Sequence, residues 1–189
     1  MKKIILSTAI LIALSGCKKE TKTAEADPAA PAADSMAVEN NTEPAASYAS
    51  KEVAPENMGQ YLAQKNDTLY VTNFFATWCG PCMKEIPHFK KKIEELKGQP
   101  VKFTFVDMDD SSEWNGAVKK FGEENGLTDH IILLDGKKLD KNFFPNNFQK
   151  WDGGSIPFTY MRKGDKTDEY LGNMSEDELT SKINTMLIK

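Results

Sequence analysis

Two of the chain's three cysteines, Cys79 and Cys82, lie three steps apart in Trp78-Cys79-Gly80-Pro81-Cys82, too close for a routine structural staple. At the start of a helix this spacing brings two sulfurs near enough to form a disulfide. Pro81 suits a first helical turn, where its missing N–H costs nothing. Cys79 then falls at the helix N-terminus, where unpaired N–H groups and the positive end of the dipole favour a thiolate. Cys82, one turn further in, is shielded and less acidic. That asymmetry makes Cys79 the attacking nucleophile and Cys82 the thiol that resolves a mixed disulfide by attacking the Cys79 sulfur. A structural disulfide and half of a zinc site are the alternatives. Zinc wants four ligands, and only His88 and His130 are at hand, far apart in sequence, so no metal and no cofactor beyond the dithiol pair is expected.

The elements that must position this turn can be read on either side of it. Leu69-Tyr70-Val71-Thr72-Asn73-Phe74-Phe75 is an almost unbroken apolar and β-branched run, the pattern of a buried, parallel strand. A helix follows from about Pro81 to Leu96 and ends at Gly98, with Pro87 expected to kink it. Further elements are a short helix over 57–65, a strand over Val101–Val106, a helix over Glu113–Glu124 with Ser112 as a candidate N-cap, and a strand over Ile131–Leu134. Phe158–Met161 and Glu169–Leu171 form a hairpin turning at Lys163-Gly164-Asp165. The last helix opens on the capping-box sequence Ser175-Glu176-Asp177-Glu178 and carries Leu179, Ile183, Met186 and Leu187 on one face.

The 189 residues carry 24 basic and 28 acidic side chains, a net charge of −4, with Arg162 as the single arginine. That balance disfavours nucleic acid as a partner, because phosphate binding needs clustered Lys and Arg. The N-terminus reads as an address. Lys2 and Lys3 precede the apolar run Ile4–Leu14, too short to span a bilayer but the right length for the core of a signal peptide. Leu14-Ser15-Gly16-Cys17 resembles a bacterial lipobox, which implies a signal peptide over 1–16 and lipidation of Cys17. Acyl chains contribute about 0.8 kcal/mol per buried methylene, so several anchor a protein stably. Residues 17–55 read as a lipidated Cys17 followed by a disordered tether: from Lys18 to Pro55 there is no Leu, Ile, Phe or Trp, and such a stretch cannot offset its ordering entropy. As a coil it reaches on the order of 35 Å. Residues 56–189 have the length of a single domain.

The run from Phe74 to Cys82, Phe-Phe-Ala-Thr-Trp-Cys-Gly-Pro-Cys, resembles the active-site strand and loop of the thioredoxin superfamily. Extended to Glu85 and Pro87, it is similar to membrane-associated thiol-disulfide reductases of the TlpA and ResA type. The resemblance covers Thr68 to the C-terminus. It implies an α/β, thioredoxin-like fold: a central mixed β-sheet flanked by helices, with an insertion after the second strand. It also implies a cis bond at Ile156-Pro157, opposite the cysteines and lining the groove for an extended substrate. Trp78, Gly80 and Pro81 complete the active-site loop, with Trp78 reading as a surface contact for partner proteins. Thioredoxins proper keep a buried Asp six residues before the first cysteine; here Asn73 occupies that place and cannot titrate. Glu85 is the candidate proton acceptor for Cys82, although a helical carboxylate more commonly faces solvent and a water could serve equally. Phe143, Phe144, Phe148 and Trp151, in the region carrying the insertion, read mostly as core.

The resemblance thus implies a lipid-anchored disulfide reductase working outside the cytoplasm on disulfide-containing envelope proteins, cytochrome c precursors among them. The Gly80-Pro81 dipeptide is the thioredoxin one, and thioredoxin lies near about −270 mV against about −120 mV for the oxidant DsbA. In an oxidising compartment a reductase needs electrons, which implies a membrane thiol donor of the DsbD or CcdA kind. The rival expectation is a metallochaperone or client-binding module on the same fold, without turnover.

Overall fold

The computed structural model describes residues 51–188, so the expected lipobox at Cys17, the expected signal segment 1–16 and the expected tether up to residue 50 lie outside the described residues. The apolar run forms strand β1 (Leu69–Phe75), which runs parallel to β2 (Val101–Asp107) on one side and antiparallel to β4 (Phe158–Lys163) on the other. β3 (Ile131–Leu133) adds parallel to β2, and β5 (Lys166–Leu171) closes the hairpin with β4. The sheet order is β3-β2-β1-β4-β5. The hairpin turns at Gly164, whose φ of 57° lies in the left-handed region that glycine enters without penalty.

Because β1 is central, both its faces are covered, and this explains why the run lacks the alternation of a half-exposed strand. Odd-numbered β1 residues pack beneath α2 (Gly80–Glu95), α3 (Lys119–Asn125) and α5 (Glu176–Leu187), through Ile86, Phe89, Phe121, Leu179 and Ile183. Even-numbered residues pack beneath α1 (Met58–Leu62), α4 (Phe143–Asn147) and the segment to Trp151. Phe143, Phe148 and Trp151 are core, as the sequence suggests, whereas Phe144 is only half-buried.

Local details depart from the sequence reading. α2 starts at Gly80, one residue before the expected Pro81, and continues through Pro87 to Glu95. The helix expected over 113–124 divides into a 3₁₀ turn (Ser111–Glu113), a π-helical segment (Trp114–Val118) and α3. Its cap is Asp110, whose carboxylate accepts the Ser112 N–H at 2.9 Å, rather than Ser112 itself. Glu52 and Val53 lie ahead of the expected domain start at Glu56, yet Glu52 bridges to Leu133 and the Val53 N–H donates to the Leu133 carbonyl at 2.8 Å. The edge of β3 is thereby paired rather than left open. The capping box of α5 is present, Ser175 and Glu178 each accepting the other's backbone N–H.

Candidate redox site

β1 delivers the chain to the end of the sheet, and a turn closed by the Cys79 N–H on the Ala76 carbonyl (3.0 Å) leads into α2. Cys79 is the N-cap of that helix, with extended backbone (φ −81°, ψ 101°), and its Sγ accepts the Cys82 N–H at 3.2 Å. A backbone donor aimed at this sulfur, together with the helix dipole, favours the thiolate once the bond opens. Cys79 and Cys82 are joined by a disulfide, S–S 2.03 Å. Cys82 is fully enclosed, whereas Cys79 borders a groove of about 690 Å³.

Trp78, Met108, Leu139, Phe144 and Ile156 line that groove with the glycines at 136, 153 and 154, and none of its lining side chains is charged. The Ile156-Pro157 bond is cis, and the Ile156 carbonyl lies 3.7 Å from Cys79 Sγ, so the pair faces the cysteines as the resemblance implies. Gly153 has a φ of 87°, and a Cβ there would come within 2.4 Å of the Phe144 ring. Glycine therefore lets Phe144 close down as one wall. Trp151 braces the same loop by donating Nε1–H to the Ser155 carbonyl at 2.8 Å while stacking on Phe158 at 4.4 Å. Trp78 is 72% exposed, a large apolar side chain standing open beside the nucleophile.

Beneath the cysteines Glu85, the candidate proton acceptor, points inward rather than to the solvent that a helical carboxylate more commonly faces. The side chain is fully buried: Asn73 Nδ2 donates to Oε1 at 2.7 Å and the Met174 N–H to Oε2 at 2.8 Å. Burial pushes its pKa up to about 7, against the two donors, which pull it down. Asn73 also donates to Thr159 Oγ1 at 3.0 Å, so position 73 faces the dithiol helix as the strand register requires. Glu85 lies one turn after Cys82 on α2.

Two carboxylates escaped the sequence reading. Asp109 is buried, and its two oxygens accept from the N–H (2.7 Å) and the hydroxyl (2.9 Å) of Thr77, two residues before Cys79. Asp107, also buried, makes no hydrogen bond of normal geometry although Asp109 and Trp114 lie close; burial first, then the Asp109 carboxylate, pushes its pKa up to about 9. The only sequence signal was the acid-rich end of β2, Asp107-Met108-Asp109-Asp110, which reads as an ordinary loop. Among the described residues no cluster of three His, Cys, Asp or Glu side chains is arranged to hold a metal. His88 and His130 each turn Nδ1 toward a backbone carbonyl, of Met174 and Phe103 respectively.

Residues 49–122 match the Thioredoxin family. The chain is 29% identical over 111 residues to sporulation thiol-disulfide oxidoreductase A of Bacillus subtilis (strain 168), an alignment covering 57% of this chain and 66% of the relative. It is 26% identical over 109 residues to thiol-disulfide oxidoreductase ResA of Bacillus thuringiensis (strain Al Hakam), covering 57% of each. The chain thus spans less than two thirds of the length of these curated relatives. Among solved structures it is similar to a thiol:disulfide interchange protein of the thioredoxin family from Chlorobium tepidum TLS: TM-score 0.55, 19% identity, 69% of this chain and 85% of the other. The fold is thioredoxin-like, a mixed five-stranded sheet flanked by helices.

Proposed function

We propose that this chain is a thiol-disulfide oxidoreductase that reduces disulfides of other proteins, cycling Cys79 and Cys82 between dithiol and disulfide. The observation that carries the reading is the unequal placement of two bonded sulfurs. Cys79 caps a helix and borders an uncharged groove, while Cys82 is sealed behind it. In the reduced enzyme the Cys79 thiolate attacks one sulfur of a target disulfide, forming a mixed disulfide and releasing the other target sulfur as a thiolate. Cys82 then attacks Cys79 Sγ, restoring the Cys79–Cys82 bond and freeing the second target thiol. Two electrons pass to the target, and Glu85, with a pKa near 7, takes the Cys82 proton. An extended target segment lies across Ile156 and Pro157, with Trp78 against the partner's surface. The two named relatives, both thiol-disulfide oxidoreductases, support this reading.

The finer reading rests on sequence. The lipobox-like run ending at Cys17 and the apolar-poor segment after it support a domain held outside the cytoplasm on a lipid anchor. No helix among the described residues is long and apolar enough to cross a membrane. In that compartment the substrates are envelope proteins, apocytochrome c among them, and the electrons come from a membrane thiol donor of the DsbD or CcdA kind. The test is insulin reduction with a dithiol donor, the reduction potential of the pair, and trapping with Cys82→Ser. A reductase gives turnover, a potential nearer thioredoxin's than DsbA's, and thiol-reversible adducts through Cys79 that are scarce in Cys79→Ser. No turnover and no adducts from either variant leave only a binding module.

A further inference from the structure

We propose that Asp109 is a positioning residue for Cys79: by holding Thr77 through two hydrogen bonds it fixes the turn that presents the attacking sulfur to an incoming disulfide. This rests on the reading of Cys79 as the nucleophile. The clamp ties the end of β2 to the end of β1 at the point where β1 stops being a strand. One residue before it, the Met108 N–H donates to the Phe75 carbonyl at 2.9 Å, and Met108 itself lines the groove. The segment Met108–Asp109 therefore supplies part of the groove and the anchor of the turn together. From Thr77 the chain has only Trp78 to cross before Cys79, whose N–H closes onto Ala76. A shift of the Thr77 peptide is passed almost directly to the sulfur.

The chemistry of the clamp suits that task. Thr77 offers two donors, N–H and O–H, and a carboxylate supplies two acceptors in one plane, with charge-assisted bonds shorter and stronger than neutral ones. An amide in this place would accept once and turn its NH₂ toward a donor. The arrangement also carries a penalty that the fold alone does not demand, because Asp109 is buried beside a second buried acid, Asp107. A hydrophobic pair at the same place would pack the end of β2 without it. Local rules broken next to a reactive group are the pattern expected where position matters more than stability.

The test uses the full chain carrying Cys82→Ser, reduced and mixed with oxidised glutathione, so that a single step is seen. The Cys79 thiolate bonds to one glutathione sulfur, and the other leaves as a thiolate. Followed against pH, the midpoint of the rate reports ionisation of Cys79, and the alkaline plateau reports the reactivity of the thiolate already formed. Asp109→Ala is expected to lower the plateau about tenfold and Thr77→Val about threefold, since small misplacements of reacting atoms are costly. Asp109→Asn, which keeps one acceptor, should recover to within about threefold of the parent. Adding Thr77→Val to Asp109→Ala should change nothing further, because the contact is already gone. Thr77→Val, nearly isosteric, keeps the test informative if Asp109→Ala does not fold. Plateaus within twofold of the parent for every folded variant, measured well below lowered melting points, overturn the proposal and make Asp109 a stability residue. Glutathione disulfide reacts with any accessible thiolate, so this outcome is independent of whether the wild-type chain reduces insulin.

Discussion

Both faces of the central strand are packed with apolar side chains, but they differ in the polar groups they bury. The even face packs Phe74 against Phe148, Trp151 and Phe158, with ring centroids 4.9 to 5.9 Å apart, and its fully buried strand polar residues, Thr72, Thr104 and Tyr160, carry hydroxyls. Tyr61 donates to Thr104 there at 3.0 Å. The odd face buries Asn73, Glu85 and Asp107 in the layer that holds Cys79 and Cys82, and leaves Asn73 Oδ1 and both Asp107 oxygens without a hydrogen bond. Buried acids must be paired or neutral, and each of these lowers stability at neutral pH. Two residues adjacent in sequence, Phe74 and Phe75, thus point into two different apolar layers. Both layers hold the sheet together, and the odd one also holds groups whose protonation matters.

Removing an even-face aromatic should therefore unfold without disarming. Phe148→Ala is expected to lose about 3–5 kcal/mol, the range for a buried aromatic truncated to a cavity, with the Cys79–Cys82 potential unmoved. Urea denaturation beside a glutathione redox titration measures both. A potential displaced by more than about 30 mV, equivalent to roughly 1.4 kcal/mol, means that the faces are coupled.

The odd face should show the reverse balance at Asp107. Its pKa is raised from the ordinary carboxylate range to about 9, so the folded chain holds a proton that the unfolded chain releases above about pH 4. The associated stability is fully present below the unfolded pKa and is lost as pH climbs toward 9. Asp107→Asn, neutral at every pH, should gain several kcal/mol over wild type at pH 8, at about 1.4 kcal/mol per pH unit above the unfolded pKa, and almost nothing at pH 4. Equal melting-temperature slopes for the two proteins between pH 4 and pH 9 would show that Asp107 does not titrate in this way.

How far this contrast was legible in the sequence depends on the range of the interactions. The unbroken run of β1, the Cys79–Cys82 turn and the Ser175–Glu178 cap are local patterns, and each forms where the sequence places it. The burial of Glu85 is not local. It follows from Asn73, 12 residues before it, and from the Met174 N–H, 89 residues after it, neither of which marks a helical carboxylate as internal. The Asp109 clamp on Thr77 spans 32 residues and joins two loop-like stretches. Pairing of Glu52 with Leu133 is longer-range still, so composition placed Glu52 in the tether. Local signals gave the elements and the cysteines; the ionisable layer around them arises only when the strands are side by side.

Glu85 sharpens the comparison from the chemical side. Burial raises its pKa to about 7, so its carboxylate is partly ionised at neutral pH, and the proposed transfer of the Cys82 proton to it can be tested directly. Glu85→Gln should slow resolution of the mixed disulfide about a hundredfold at pH 8, the lower end of the usual range for a lost general base. It should also remove an inflection near pH 7 from the stopped-flow profile of that step. Persistence of the inflection in the Gln variant assigns it to a thiol instead. As with Asp107, the raised pKa means stability present below about 4.5 and lost as pH rises through 7, so the Gln variant should also flatten that slope.

The smallest effect is expected where the two layers meet. Phe144 belongs by packing to the aromatic layer, edge-on to Phe143 at 5.1 Å and Trp151 at 4.9 Å, yet its ring also walls the groove beside Cys79. Being half-buried, it should contribute only about 1 kcal/mol to folding, well below Phe148. Removing it takes away apolar contact with a target polypeptide but leaves the helix N-cap, Glu85 and the Thr77 clamp in place. Phe144→Ala should therefore raise KM for a peptide disulfide about threefold, with kcat and the reduction potential unchanged, the signature of lost uniform binding. A fall in kcat at constant KM would mean that the wall acts on the reacting sulfurs, and that the aromatic layer reaches into the chemistry it otherwise only supports.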